Sequence, residues 1–236
     1  MSRRSIWRGL AALAACAAVV AGLIYAGRWT RLQLDARQHY DVALADIDAP
    51  VPPGVDRGKF LSEVQYLGSL PDRISALDPG MILRLASAFK AHPWVEHVDG
   101  VSLRSADGPR ARLPLRTPVL AIGDRVVDGQ SVLLPTGTAT TGLIVYHGPV
   151  APPKLPAGAV WDEPAIEEAV RFAAALQPFQ DVLGIDAIEI KDGGLIGTGK
   201  IAVVWGRPGH TEDKIARLRE LSQTMPLPEK MVLDQK

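Results

Sequence analysis

The sequence predicts an α+β fold behind a single N-terminal transmembrane helix, and three observations carry that expectation. Stretches with apolar residues one helical turn apart are interspersed, in no strict order, with short stretches of alternating apolar and polar residues. That mixture fits α+β packing better than a doubly wound sheet. Asp107-Gly108 stands between two alternating runs, as in a β-hairpin. An uncharged run over 9–27 lies between Arg8 and Arg28.

The uncharged run meets the length of about 20 residues that a helix needs to cross about 30 Å of hydrocarbon. Trp7 and Trp29 stand where interfacial aromatic anchors belong. Arg3, Arg4 and Arg8 precede the run unopposed, whereas Asp35 and Asp41 dilute the basic residues after it. The charge bias therefore predicts a single-pass protein of the plasma (inner) membrane, with a cytoplasmic N-terminus and an extracytoplasmic C-terminal domain. A cleaved signal peptide is one rival reading, but the run continues through Val19 and Ile24 without a polar break. A lipobox ending at Cys16 is another, but apolar residues follow the cysteine where a polar tether is expected. Ser2-Arg3-Arg4 echoes a twin-arginine signal, and the match stops there.

After 1–27, the tail and transmembrane helix, residues 28–54 read as stalk and linker. Leu32, Ala36, Tyr40, Ala43 and Leu44 predict a helix over 29–46, and Pro50, Pro52 and Pro53 break the chain after it. A first unit spans 55–118. In it Phe60, Leu61, Val64, Leu67 and Leu70 recur at helical spacing, although the run also reads as a strand. Residues 79–91 are the clearest helix, with Asp78 as N-cap, Pro79 at the first position and Ile82, Leu85, Ala86 and Phe89 on one face. Pro93 ends it. Residues 95–104 and 110–116 form the hairpin. A second, β-rich unit spans 119–236. Strands are expected at 119–122, 125–127, 132–134, 143–146, 187–190, 201–205 and 231–233. Helices are expected at 163–176 and, capped by Thr211, at 211–223.

The 236 residues are 47% hydrophobic and 22% charged, which excludes a disordered chain. Lys+Arg and Asp+Glu both total 26, so no basic surplus points to nucleic acid. Cys16 is the only cysteine, which rules out an internal disulfide and a cysteine-built metal site.

No residue pattern in the sequence points to an active site. His39, His92, His97, His147 and His210 show no ligand spacing. The run from Gly194 to Lys200 approaches a phosphate-binding loop, but Ile201 replaces the Ser or Thr that would hold Mg²⁺. The glycines read instead as a hairpin turn before the 201–205 strand. Glu167, Glu168, Glu212 and Asp213 fall in predicted first turns, where acids favour the helix dipole. No enzymatic activity, cofactor, metal or small-molecule substrate is expected.

One series of motifs is more informative. His92-Pro93-Trp94-Val95 lies between a helix and a strand, and Arg116-Thr117-Pro118 closes the hairpin. Val126-Val127-Asp128-Gly129 and Val132-Leu133-Leu134-Pro135 follow. In this order, behind one apolar run, they resemble the FtsQ/DivIB family of bacterial cell-division proteins. The resemblance implies a POTRA-like domain followed by a β domain that starts just after the Arg-x-Pro element. It gives structural roles to Pro93, Trp94, Val95, Arg116 and Pro118, with Trp94 filling the POTRA core and Pro118 setting the corner between domains. It also implies a non-enzymatic divisome scaffold at the septum, with bitopic partners resembling FtsB and FtsL. The partner would extend the last strand, Lys230, Met231, Val232, Leu233 and Asp234, with Trp205 on a neighbouring strand. A POTRA-bearing envelope or secretion assembly factor and an exported hydrolase are the alternatives.

Overall fold

The computed structural model describes residues 18–29, 41–222 and 230–233. Residues 18–29 form an exposed helix, α1. Among the described residues no helix is long and apolar enough to cross a membrane. This overturns the expected single transmembrane helix, and with it the single-pass placement in the plasma membrane. Residues 1–17, Cys16 among them, lie outside the described residues, as does the 30–40 part of the expected stalk helix.

Where that helix was expected to continue, Asp41–Ala43 is a strand, β1, followed by a 3-10 turn over Leu44–Asp46. Tertiary burial overrides the helical spacing here, because Leu44, Ile47 and Ala49 enter the first core. β1 pairs antiparallel with β2 (Arg73–Ser75). Between these strands lies α2 (Arg57–Gly68), whose N-cap Asp56 accepts the Lys59 N–H at 2.9 Å. α3 (Pro79–Ala91) opens as its sequence predicts. Asp78 accepts the Gly80 N–H at 2.9 Å, and Pro79 occupies a position where its missing N–H costs nothing. β3 (Gly100–Ser102) and β4 (Arg110–Arg112) form the hairpin around Gly108, whose φ of 96° favours glycine. Asp48 bridges Arg110 in parallel: its N–H donates to the Pro109 carbonyl at 2.9 Å, and its carbonyl accepts the Ala111 N–H at 2.8 Å. One stretch of the expected linker thus ties the two strand pairs together. Phe60, Val64, Leu85 and Phe89 fill the core between helices and strands.

The second core runs from Val119 to Leu233. Its elements are β5 (Pro118–Ile122), β6 (Arg125–Asp128), β7 (Ile144–His147), α4 (Pro164–Leu176), α5 (Gln180–Leu183), β8 (Ile185–Lys191), β9 (Gly194–Gly199), β10 (Ala202–Gly206), α6 (Thr211–Ser222) and β11 (Lys230–Val232). The strands form one mixed seven-stranded sheet in the order β11-β10-β9-β8-β7-β5-β6. β7 and β8 are parallel, so a crossover must join them, and α4 is that crossover. Its apolar stripe, Ile166, Ala169, Val170, Phe172, Ala173 and Leu176, is buried in this core.

Two sequence expectations change here. The Gly-rich 194–199 stretch is a strand rather than a turn. A Cβ on Gly194 would lie 2.6 Å from the Gly206 carbonyl carbon, and one on Gly199 would lie 2.0 Å from the Gly184 oxygen. These glycines therefore permit close backbone approach inside the sheet. Residues 132–134 form only isolated bridges, Val132 to Val160 and Leu133 to Val127.

Candidate functional site

A sheet of seven strands has two ends, and the chain treats them differently. At the β6 end, the 131–134 segment covers the edge: Leu134 N–H donates to the Val126 carbonyl at 2.9 Å, and Asp128 N–H to the Val132 carbonyl at 3.1 Å. At the other end stands β11, parallel to β10 and flanked by no further strand among the described residues. Leu233 N–H donates to the Val204 carbonyl at 2.9 Å, so Leu233 faces β10. Strand alternation then turns the Val232 backbone outward. Its carbonyl accepts Arg217 Nε of α6 at 3.2 Å. Met231 and Leu233 are buried, whereas Lys230 is exposed and Val232 is 47% exposed. Four of the expected partner-binding residues thus line this open edge, and Asp234 lies outside the described residues.

Trp205 does not join them at the surface. It is fully buried, stacked on Phe172 of α4 with ring centroids 4.8 Å apart. Its Nε1–H donates to Glu168 Oε1 at 2.7 Å, and Lys214 Nζ of α6 stands 5.3 Å from the ring centroid. Lys214 also donates to the Arg207 carbonyl, and Arg171 Nη1 donates to Glu168 Oε2 at 3.0 Å. Trp205 therefore fastens α4 and α6 to the strand on which β11 pairs. Glu168, read from the sequence as a helix-dipole acid, is instead the buried acceptor of this cluster. The available signal was its spacing four residues before Phe172 and eight before Leu176, on the edge of the apolar stripe.

The motif residues meet at the junction of the two cores. Trp94 does not fill the first core. It forms a separate small cluster with Val126 and Leu134 of the second unit, flanked by Val55 and Leu143. Val95 enters the first core and bridges Leu115. Arg116 N–H donates to the Trp94 carbonyl at 2.9 Å, and its Nη1 pairs with Asp128 Oδ2 at 2.6 Å in a largely buried bridge. The other Asp128 oxygen accepts the N–H groups of Gln130 and Val132, each at 2.8 Å. Gln130 Nε2 reaches back to Glu96 Oε1 at 3.1 Å. Pro118 then starts β5 opposite Asp128. Arg-x-Pro and Val-Asp-Gly are thus two halves of one ion-paired corner, with Pro93 ending α3 just before it.

His92 sits beside this corner and is buried. Its Nδ1 accepts the Trp94 N–H at 3.3 Å, which leaves Nε2 to donate to Glu63 Oε2 at 3.0 Å. Phe60 packs against its ring edge-on. Burial holds the His92 pKa below its ordinary value, and the Glu63 carboxylate offsets part of that shift. His97 and His210 pair with Asp99 and Asp213 in the open, and His147 is exposed. The buried Tyr146 phenol is pushed up first by burial and then by Glu163, so it holds its proton at neutral pH. Among the described residues no group of three or more His, Cys, Asp or Glu could hold a metal ion.

No protein-family model matches the chain, and a search of curated proteins returns no match.

Proposed function

We propose that this chain is a non-enzymatic scaffold of bacterial cell division, of the FtsQ/DivIB kind, that binds other division proteins. The observation that carries the reading is the asymmetry of the sheet. One edge is covered by the chain's own 131–134 segment, whereas β11 at the other edge carries no neighbouring strand among the described residues. An uncovered edge is a template for strand addition, in which main-chain hydrogen bonds give affinity and outward side chains give specificity. Val232, half-exposed, with its N–H turned outward and its carbonyl held by Arg217, is the centre of that edge. The expected partners are small coiled-coil division proteins resembling FtsB and FtsL. The order of Trp94, Arg116 and Asp128 along the chain, and their meeting in one corner, supports the same family reading.

A photo-crosslinking residue at Lys230 in living cells tests this. Small coiled-coil division proteins are expected among the captured species. Val232→Pro should reduce capture by about tenfold, because it removes an outward donor while leaving the bonds to β10. Capture of outer-membrane assembly components would refute the reading. Undiminished capture by a folded Val232→Pro protein would refute the edge as the site.

A further inference from the structure

Four arginines fall in the 104–116 stretch, and two of them have structural tasks. Arg104 Nε donates to the Ala76 carbonyl at 2.7 Å, and Arg116 makes the corner with Asp128. The other two, Arg110 and Arg112, stand two residues apart on β4, so both project from one face, about 7 Å apart along the strand. Ala111 between them points inward and is buried. The hairpin register sets Ser102 opposite Arg110 and Gly100 opposite Arg112. A Cβ on Gly100 would meet Arg112 Nη2 at 3.7 Å, so the guanidinium lies across the glycine. These four residues, with Val101 and Ser105, line a cavity of about 240 Å³.

Asp48 and Asp99 share the adjoining groove with both arginines, and Asp99 is engaged by His97 at 3.1 Å. Arg110 engages Asp48 through Nε at 3.3 Å, and the Asp48 side chain is itself mostly exposed. Arg112 has no carboxylate partner among the described residues. The Ser105 hydroxyl accepts the Asp107 N–H at 3.4 Å, which leaves its own proton to donate. Donors from two planar guanidinium forks and two hydroxyls therefore converge on one volume. A carboxylate has two oxygens to offer such a set, and a phosphate group has three or four.

We infer that the solvent face of the β3–β4 hairpin is a binding site for a phosphate ester, held by Arg110 and Arg112 with Ser102 and Ser105. The cavity, about 240 Å³ and open to solvent, leaves room beside a phosphate for the rest of an ester. The site belongs to the first unit and is separate from the strand-adding edge.

Amide NMR of the full ¹⁵N-labelled chain tests this, with glycerol phosphate and phosphatidylglycerol vesicles as probes and acetate and phosphatidylcholine vesicles as controls. A phosphate-bearing probe should shift residues 100–112 saturably. Arg112→Gln should weaken that response by about tenfold, the loss of one charge-assisted fork. Ser102→Ala should weaken it less, and Lys191→Gln on β8 should leave it unchanged. Response to glycerol phosphate assigns the site to soluble esters, and response to phosphatidylglycerol alone assigns it to lipid headgroups. Shifts spread over the whole chain, an unaltered response in a folded Arg112→Gln protein, or equal binding of acetate would overturn the proposal.

Discussion

Replacing Trp94 by alanine separates two accounts of the first unit. If Trp94 filled the core of that unit, as its place after α3 leads one to expect, its loss would loosen α2 and α3. The structure instead packs it with Val126 and Leu134, at 4% exposure. A buried indole removes about 200 Å² from water, worth at most about 5 kcal/mol at about 25 cal/mol per Å². Truncation of such a side chain costs about 3–5 kcal/mol. Most of this loss should appear as weakened coupling between the units, because the main packing partners lie on the second one. Native-state hydrogen exchange read by mass spectrometry resolves the difference. Protection should fall in residues 126–134 and at the 94–96 backbone, while α2 and α3 keep most of theirs. Loss of protection confined to α2 and α3, with 126–134 unchanged, would refute the reasoning.

Two further outcomes follow from buried titratable groups. The folded-state pKa of His92 lies below its ordinary value of 6.5, so below that pH the unfolded chain binds the proton more readily. Stability should therefore fall as pH drops from about 7.5 to about 5, and His92→Gln should flatten this slope, as urea midpoints across that range would show. Protonation also turns Nδ1 into a donor, which cannot coexist with the Trp94 N–H, whereas Glu63, itself beside Lys59, favours the charged ring. A slope that His92→Gln leaves unchanged would count against this account. Glu168→Ala should cost about 2–4 kcal/mol, because it strands the Trp205 Nε1 donor in the core. Glu167→Ala, which removes a more exposed partner of Arg171, should cost under about 0.5 kcal/mol. Equal losses in thermal unfolding would contradict the placement of Glu168.

Local physics made much of this fold legible in the sequence. Asp78-Pro79 starts a helix where it stands, and Asp107-Gly108 marks the hairpin, because caps and turns are settled by residues within a few positions of one another, whereas Thr211, expected as a cap, is the first residue of α6. A last strand was legible near 231–233, but its place at the end of the sheet was not, since that depends on its pairing with β10. The sequence could not assign partners across long separations. Trp205 reads as an ordinary strand aromatic until Glu168, 37 positions earlier, supplies its acceptor. The glycines of 194–199 read as a turn because nothing nearby reveals that Gly184 and Gly206 press against them. The 41–49 stretch reads as stalk because only packing brings Leu44 and Ile47 into a core and Asp48 against Arg110. Residue types and their spacing determined where elements begin and end and which residues are apolar. Only the tertiary structure decided the strand order, because pairings such as β7 with β8 and β10 with β11 join segments distant in sequence, and that order leaves β11 at one end with no further strand beside it among the described residues.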